Sequence, residues 1–234
     1  MNVRHRTPRI AGLLFIAVLA LSSLPAGAEV AEITVSKEYG IGYLPYMIME
    51  QQKLVEKHAR AAGLGELKVN WQTFGGSGLT QGAILAGRLD FASSGVPWFL
   101  SGISEIDSHF TSPPFQDLEL KDPRVHKVLN SYDVLGGAAT FIIASTTTKF
   151  YQTNPKTYQA FVDALAEAEM FVNNNKREAA AIYIAMSGEK RLTADELTQM
   201  LGNPEYRFTT TPENVLKYAS FMQSIGAMKN KPAS

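Results

Sequence analysis

The chain has 234 residues, with 22 basic and 22 acidic side chains and no cysteine. This length can bury a core without disulfides, and the lack of cysteine excludes thiolate nucleophiles and cysteine zinc sites. His58, His109 and His126 do not have metal-ligand spacing. The balanced charge lacks the basic excess of nucleic-acid-binding proteins. We therefore predict neither a metal site nor a nucleic-acid partner.

Residues 1–28 have the features of a secretory signal peptide. Three arginines precede an apolar run over residues 10–21, and an A-x-A cleavage site ends at Ala28. The apolar run is shorter than the roughly 20 residues that span a bilayer. We therefore expect cleavage near Ala28 and export to the periplasm. The mature chain would start at Glu29, with 206 residues and a net charge of −3.

The mature chain opens with alternating strand and helix patterns. Residues 33–36 and 67–71 alternate apolar and polar side chains, as half-buried strands do, and residues 89–92 form a third strand candidate. Apolar residues at helical spacing predict one helix over 47–62 and a short helix over 79–86. This β-α-β-α-β order is typical of a parallel sheet in an α/β domain.

Loops rich in glycine or serine follow the three strands, at Gly40–Tyr43, Gly75–Thr80 and Ser93–Pro97. Ligands of open parallel sheets bind beyond the carboxyl ends of the strands, so the loops would meet at one edge. Free N–H groups at a helix start favour an anion, but the second loop could equally be a plain glycine turn. Trp98 either stacks on a ligand or packs under a neighbouring lobe.

The sequence lacks the patterns of a catalytic site. It has no Ser-His-Asp order, no paired-carboxylate pattern and no Gly-x-Ser-x-Gly elbow. Ser77 also has no evident base to activate it. We therefore predict a binding protein that is not an enzyme and uses no cofactor.

The middle of the chain is poor in regular patterns, whereas its end is helical. Residues 106–110 and 125–129 are short strand candidates in a polar stretch, and residues 140–145 are a longer β-rich run. Four helices are predicted after that, with apolar stripes that should form core faces. Asn154-Pro155 marks the start of the first of these helices, and Gly188 marks the end of the second. A Thr193–Glu196 capping box begins the third, and Thr211-Pro212-Glu213 begins the fourth.

One pattern occurs twice in succession near residue 100. The segment LAGRLDFASSGVP (85–97) runs from a helix end through glycine and an acidic residue to a strand and a proline. The segment LSGISEIDSHFTSPPF (100–115) follows the same course directly afterwards. Little chain separates the two copies.

Several segments resemble solute-binding proteins of ABC importers, of the nitrate, sulfonate and taurine type. They include both copies, FGGSGLT before the first copy, VLNSYDVLGG, and the run from NPKTYQAF to FTTTPENVLKYASFM. The resemblance covers nearly all of the mature chain. It implies the type II periplasmic-binding fold, in which two α/β lobes joined by a hinge close on a ligand.

In such relatives most of lobe two separates the two copies, so we interpret their junction as an internal deletion. Residues 29–100 would be lobe one, 101–135 a remnant of lobe two, and 136–234 the return strand with C-terminal helices packing on lobe one. The expected fold is therefore α/β and periplasmic-binding-protein-like, with one lobe largely intact and the second mostly missing. A compact family member with a reduced second lobe is the alternative.

The resemblance also assigns ligand contacts by position. Lobe one would contribute its three loops, and the lobe-two loop would face them. The expected ligand-binding residues are Gly40, Ile41, Gly42, Tyr43, Gly76, Ser77, Gly78, Thr80, Ser94, Gly95, Val96, Trp98, His109 and Thr111.

The implied function is that of an exported, monomeric component of an ABC importer. It would carry a small anionic or zwitterionic organic solute, similar to a sulfonate, taurine or nitrate, to a membrane permease. Loss of one lobe should weaken capture to a millimolar dissociation constant or above. The alternatives are a pyrimidine-precursor binding or synthesis protein of the thiamine pathway, for which no cofactor-attaching lysine is evident, and an interaction module without a transport role.

Overall fold

The computed structural model describes residues 29–75, 77–95 and 112–228. The predicted signal peptide and the strand candidate at 106–110 lie outside these residues.

Four strands form two two-stranded sheets. β1 (Glu32–Ser36) pairs in parallel with β2 (Lys68–Gln72), in the register that places Val35 opposite Trp71. β3 (Ala92–Gly95) pairs with β4 (Ile142–Ser145) in antiparallel orientation. The predicted parallel α/β arrangement is therefore confirmed, with β3 starting three residues later than the sequence pattern indicated.

The two pairs of strands are joined beside β1. Val35 forms a parallel bridge with Phe91, and the Ser36 N–H donates to the Phe91 carbonyl at 3.0 Å. Just before this point, the Asp90 carboxylate accepts the Thr34 N–H at 2.7 Å. This isolated bridge places the β3–β4 pair beside β1, on the side away from β2. The acidic residue of the first repeat copy, Asp90, completes the backbone pairing of this junction.

Ten helices are present in the described ranges. They are α1 (Leu44–Gln51), α2 (Leu54–Ala61), α3 (Ser77–Leu85), α4 (Phe115–Glu119), α5 (Ser131–Leu135), α6 (Thr148–Thr153), α7 (Pro155–Asn174), α8 (Lys176–Ser187), α9 (Ala194–Leu201) and α10 (Val215–Ser224).

Three sequence expectations are corrected by these bounds. The single helix expected over 47–62 is two helices, because Lys53 adopts a left-handed conformation with φ of 51° and turns the chain. The strand expected at 125–129 has no regular structure. The last helix begins at Val215 rather than at Thr211, and none of its residues is buried, so its apolar stripe is not a closed core face.

Helix α7 carries the centre of the core. Ala160, Ala164, Ala168 and Val172 recur every four residues and are almost fully buried, which places them in one row on the helix surface. Small side chains in such a row let neighbouring helices approach closely. The predicted core stripe of this helix is confirmed for Phe161 and Ala168.

Helix α7 begins at Pro155, as predicted, and Asn154 is its N-cap residue, but the side chain that accepts the first helix amides is that of Glu29. The Glu29 carboxylate accepts the N–H of Thr157 at 2.7 Å and the N–H of Lys156 at 3.0 Å. Asn154 instead accepts the Val30 N–H through Oδ1 at 2.9 Å. Burial opposes the charge, but the bonds from Thr157 and Lys156 hold the pKa of Glu29 below its ordinary value. The start of the described chain is thus fixed to α7.

Three phenylalanines connect the sheet to the helices. Phe91 stacks on Phe161 with ring centroids 3.9 Å apart, and Phe150 meets Phe91 edge-on at 5.2 Å. Phe91 and Phe161 are each 2% exposed. This cluster therefore couples the β1–β3 junction to α6 and α7.

We predict that Phe161→Ala lowers the free energy of unfolding by about 3–5 kcal/mol, since it leaves a cavity in this cluster. Phe221→Ala is the matched control, because Phe221 is 61% exposed and should cost within about 0.5 kcal/mol. Urea unfolding of the two variants measures the difference. Equal losses would contradict the placement of Phe161 at the centre of the core.

Candidate functional site

The turn after β1 is the first predicted ligand loop. Gly40 has φ of 108°, which favours glycine, and Ile41–Tyr43 form one turn of 3-10 helix. The Ile41 N–H donates to the Pro113 carbonyl at 3.2 Å. The amide at the start of this turn is therefore already bonded to the proline turn that ends the second repeat copy.

The other groups of this turn also face protein. A Cβ on Gly42 would lie 2.6 Å from Ile142 Cγ1, so Gly42 lets β4 approach closely. The Tyr43 ring is 6% exposed and lies 6.2 Å from the ring of Tyr46. Burial raises the pKa of Tyr183 to about 12, partly opposed by a hydrogen bond from the Gly40 amide. Packing thus accounts for Gly40, Gly42 and Tyr43.

The second loop surrounds a carboxylate of the chain itself. Glu38 is 9% exposed, and its Oε1 accepts the Phe74 N–H at 2.9 Å while its Oε2 accepts the Gly75 N–H at 3.0 Å. The fully buried Thr80 hydroxyl donates to Oε1 at 3.3 Å. Two loop amides and one helix hydroxyl therefore converge on one negative group, as they would on a bound anion.

Sequence reasoning identified Thr80 as a ligand contact but missed Glu38. The available signal was an acidic residue two positions after a buried strand, opposite a glycine-rich loop at the same sheet edge. Ser77 and Gly78 lie in the first turn of α3. Gly76 lies outside the described residues.

The third loop is mostly strand. Ser94 and Gly95, expected in a turn, belong to β3 and lie opposite Ile143 and Ile142 of β4. The strand continues to Gly95 because β4 pairs with these residues, a partner that the local sequence does not show. Ile142 is therefore the residue that brings the first and third loops together, since it also contacts Gly42.

At the start of β3, Ser93 forms hydrogen bonds with Ser36. The Ser93 N–H donates to Ser36 Oγ at 2.8 Å, and Ser93 Oγ donates to the Ser36 carbonyl. Both residues are buried. The predicted contacts Val96, Trp98, His109 and Thr111 lie outside the described residues.

The formal charges described at this edge are mostly negative or paired. Lys37, next to Glu38, forms an ion pair with Glu50. On α4, which lies beside Gly40, the Asp117 carboxylate accepts the Tyr206 hydroxyl at 3.3 Å. Burial raises the pKa of Asp117 above its ordinary value. The unpaired negative charge closest to the loops is therefore that of Glu38.

The described part of the chain contains neither a metal-binding cluster nor a membrane-spanning helix. It contains no cluster of three or more His, Asp or Glu side chains that could hold a metal ion. None of its helices combines the length and the apolar character needed to cross a membrane.

The fold matches solved periplasmic binding proteins. The alkanesulfonate-binding protein SsuA from Xanthomonas axonopodis pv. citri, bound to MOPS, matches with a TM-score of 0.55 and 11% identity, over 88% of this chain and 96% of that chain. The periplasmic aliphatic sulphonate binding protein SsuA from Escherichia coli matches with a TM-score of 0.59 and 13% identity, over 87% and 90%.

A third similar structure is a ligand-binding component of an ABC-type import system from Staphylococcus aureus, with zinc bound. Its TM-score is 0.56 at 14% identity, over 87% of this chain and 94% of that chain. No protein-family model and no curated protein sequence matches the chain. The chain therefore has the α/β fold of periplasmic binding proteins, with one lobe largely present.

A half-buried carboxylate on α7 predicts that the free energy of unfolding depends on pH. Burial raises the pKa of Glu169 on α7 to about 7, from an ordinary value near 4.5. Because the pKa of this carboxyl is raised in the folded state, its contribution to the free energy of unfolding is fully present below about pH 4.5. That contribution is lost as the pH rises through about 7. Glu169→Gln removes this loss.

We expect the melting temperature of Glu169→Gln to exceed that of the unaltered chain by a margin that grows between pH 5 and pH 8. Glu178→Gln, at an exposed position on α8, is the control and should show a constant margin. Thermal melts at several pH values provide the comparison. A margin for Glu169→Gln that stays constant or shrinks would contradict the burial of this carboxyl.

Proposed function

We propose that the chain is the exported solute-binding component of an ABC importer, which presents a small zwitterionic or anionic organic solute to a membrane permease. The observation that carries the proposal is the periplasmic-binding fold, with matches over about nine-tenths of this chain and of the solved proteins. The matched structures include sulfonate-binding proteins, which supports a small organic solute.

The position of the loops supports binding at the sheet edge. The turn at Gly40–Tyr43, the start of α3 and the end of β3 lie beyond the carboxyl ends of parallel strands, where ligands of open α/β sheets bind. The edge is built from polar loop groups, as sites for non-covalent binding of a polar solute are, although the amides of Ile41, Phe74 and Gly75 are already bonded within the chain. A binding role thus needs no reactive group.

We further propose that lobe two is reduced, as the repeated pattern near residue 100 indicates, and that capture is therefore weak. Within the described residues 112–141 there are two five-residue helices and no strand, which supports a reduced second lobe. A micromolar binder has about −8 kcal/mol of binding free energy, and loss of half leaves a millimolar dissociation constant. Without a second lobe, closure around the solute would also be lost.

The proposal predicts that taurine or a short alkanesulfonate raises the melting temperature by several degrees at 100 mM. That concentration is about 100 times a millimolar dissociation constant and adds about 2.7 kcal/mol of stability. The measurement is a thermal melt of the exported chain, with sodium chloride at equal ionic strength as the control.

Two results would contradict parts of this account. Melting temperatures that follow chloride for every solute would contradict a solute-binding function. Saturation at micromolar solute would contradict the loss of capture and favour a compact but complete binding protein.

A further inference from the structure

The loop that sequence reasoning assigned to a bound anion already has an anion. Glu38 accepts hydrogen bonds from Phe74 N–H, Gly75 N–H and the Thr80 hydroxyl, at 2.9, 3.0 and 3.3 Å. These donors come from two places, the end of the β2 loop and the first turns of α3. These three donors are arranged as in a small anion-binding site, and the carboxylate of Glu38 occupies that site.

The burial of Glu38 and Thr80 makes this carboxylate difficult for a solute anion to replace. Glu38 is 9% exposed and Thr80 is fully buried. The buried carboxylate of Glu38 already accepts these part-buried amides, so a solute anion could bind them only by displacing Glu38, whose charge would then remain close to the anion. Like charges close together in a poorly solvated site disfavour each other.

We propose that Glu38 is a built-in anion that occupies the lobe-one anion subsite and makes this edge select the cationic or amino end of a solute. The inference rests on the proposed solute-binding function and narrows its substrate class. Zwitterions that carry an ammonium group are accepted at lobe one, and solutes that present only a sulfonate or another anion are disfavoured.

Electrostatics at the rest of the edge agrees with this selection. The nearest lysine, Lys37, is already paired with Glu50, and Asp117 adds a second carboxylate on α4 beside Gly40. The described part of the edge therefore offers no unpaired cation to receive a sulfonate. An ammonium group would meet a negative potential instead.

The first test is chemical rescue of Glu38→Ala. Removing the carboxylate takes away the acceptor of the Phe74 and Gly75 amides, so the melting temperature should fall by several degrees. Acetate at 200 mM should restore at least half of that fall, because it replaces the lost carboxylate, whereas chloride at equal ionic strength should not.

The matched control is Glu66→Ala, which removes one carboxylate that is 89% exposed and distant from the loop. Acetate should affect Glu66→Ala and the unaltered chain no more than chloride does. Failure of acetate to stabilise Glu38→Ala beyond chloride would overturn the built-in anion.

The second test measures selectivity with taurine, ethylammonium and ethanesulfonate. The unaltered chain should bind taurine and ethylammonium at least 10-fold more tightly than ethanesulfonate. Glu38→Gln keeps a hydrogen-bond acceptor at the loop without the charge, so it should fold even if Glu38→Ala does not, and it should lose this preference at least fivefold.

The two proposals fail in different ways. Equal binding of taurine and ethanesulfonate, unchanged in Glu38→Gln, would overturn the selectivity and leave the solute-binding function standing. Acetate rescue of Glu38→Ala without any solute effect on the unaltered chain would support the built-in anion and contradict solute binding.

Discussion

The placement of β1 between two parallel neighbours is the constraint on which the rest of the structure depends. Its backbone pairs with β2 on one side and with Phe91 on the other. The end of β1 then determines the positions of Ser36, Glu38 and Gly40 at the edge of the sheet. Phe91 transmits the same constraint to α6 and α7 through its aromatic contacts.

This edge has the arrangement of a ligand site, but its donors are bonded within the protein. Ile41 N–H is held by Pro113, the loop amides by Glu38, and Ser93 N–H by Ser36. Buried polar groups require partners. Partners supplied by the same chain therefore stabilise this edge, and the same hydrogen bonds would compete with a solute.

Local signals predicted the elements whose causes are local. The Thr193–Glu196 capping box and the left-handed Gly188 formed as expected, since the groups involved are close in sequence. The break at Lys53 was not predictable, because a left-handed lysine has no residue signature. The role of Glu38 depends on a hydrogen bond to a residue 36 positions away in the sequence. The exposure of α10 depends on whether another element packs against it. Neither can be predicted from the periodicity of the sequence.

The most direct measurement is amide hydrogen exchange by NMR on the ligand-free chain at Ile41, Phe74 and Gly75. If their N–H groups are bonded to Pro113 and Glu38, these loop amides should exchange as slowly as the amides of the β1–β2 ladder. Exchange at the rate of an open, solvated loop would show that the donors are free. That result would contradict an edge whose anion position is filled by the chain itself.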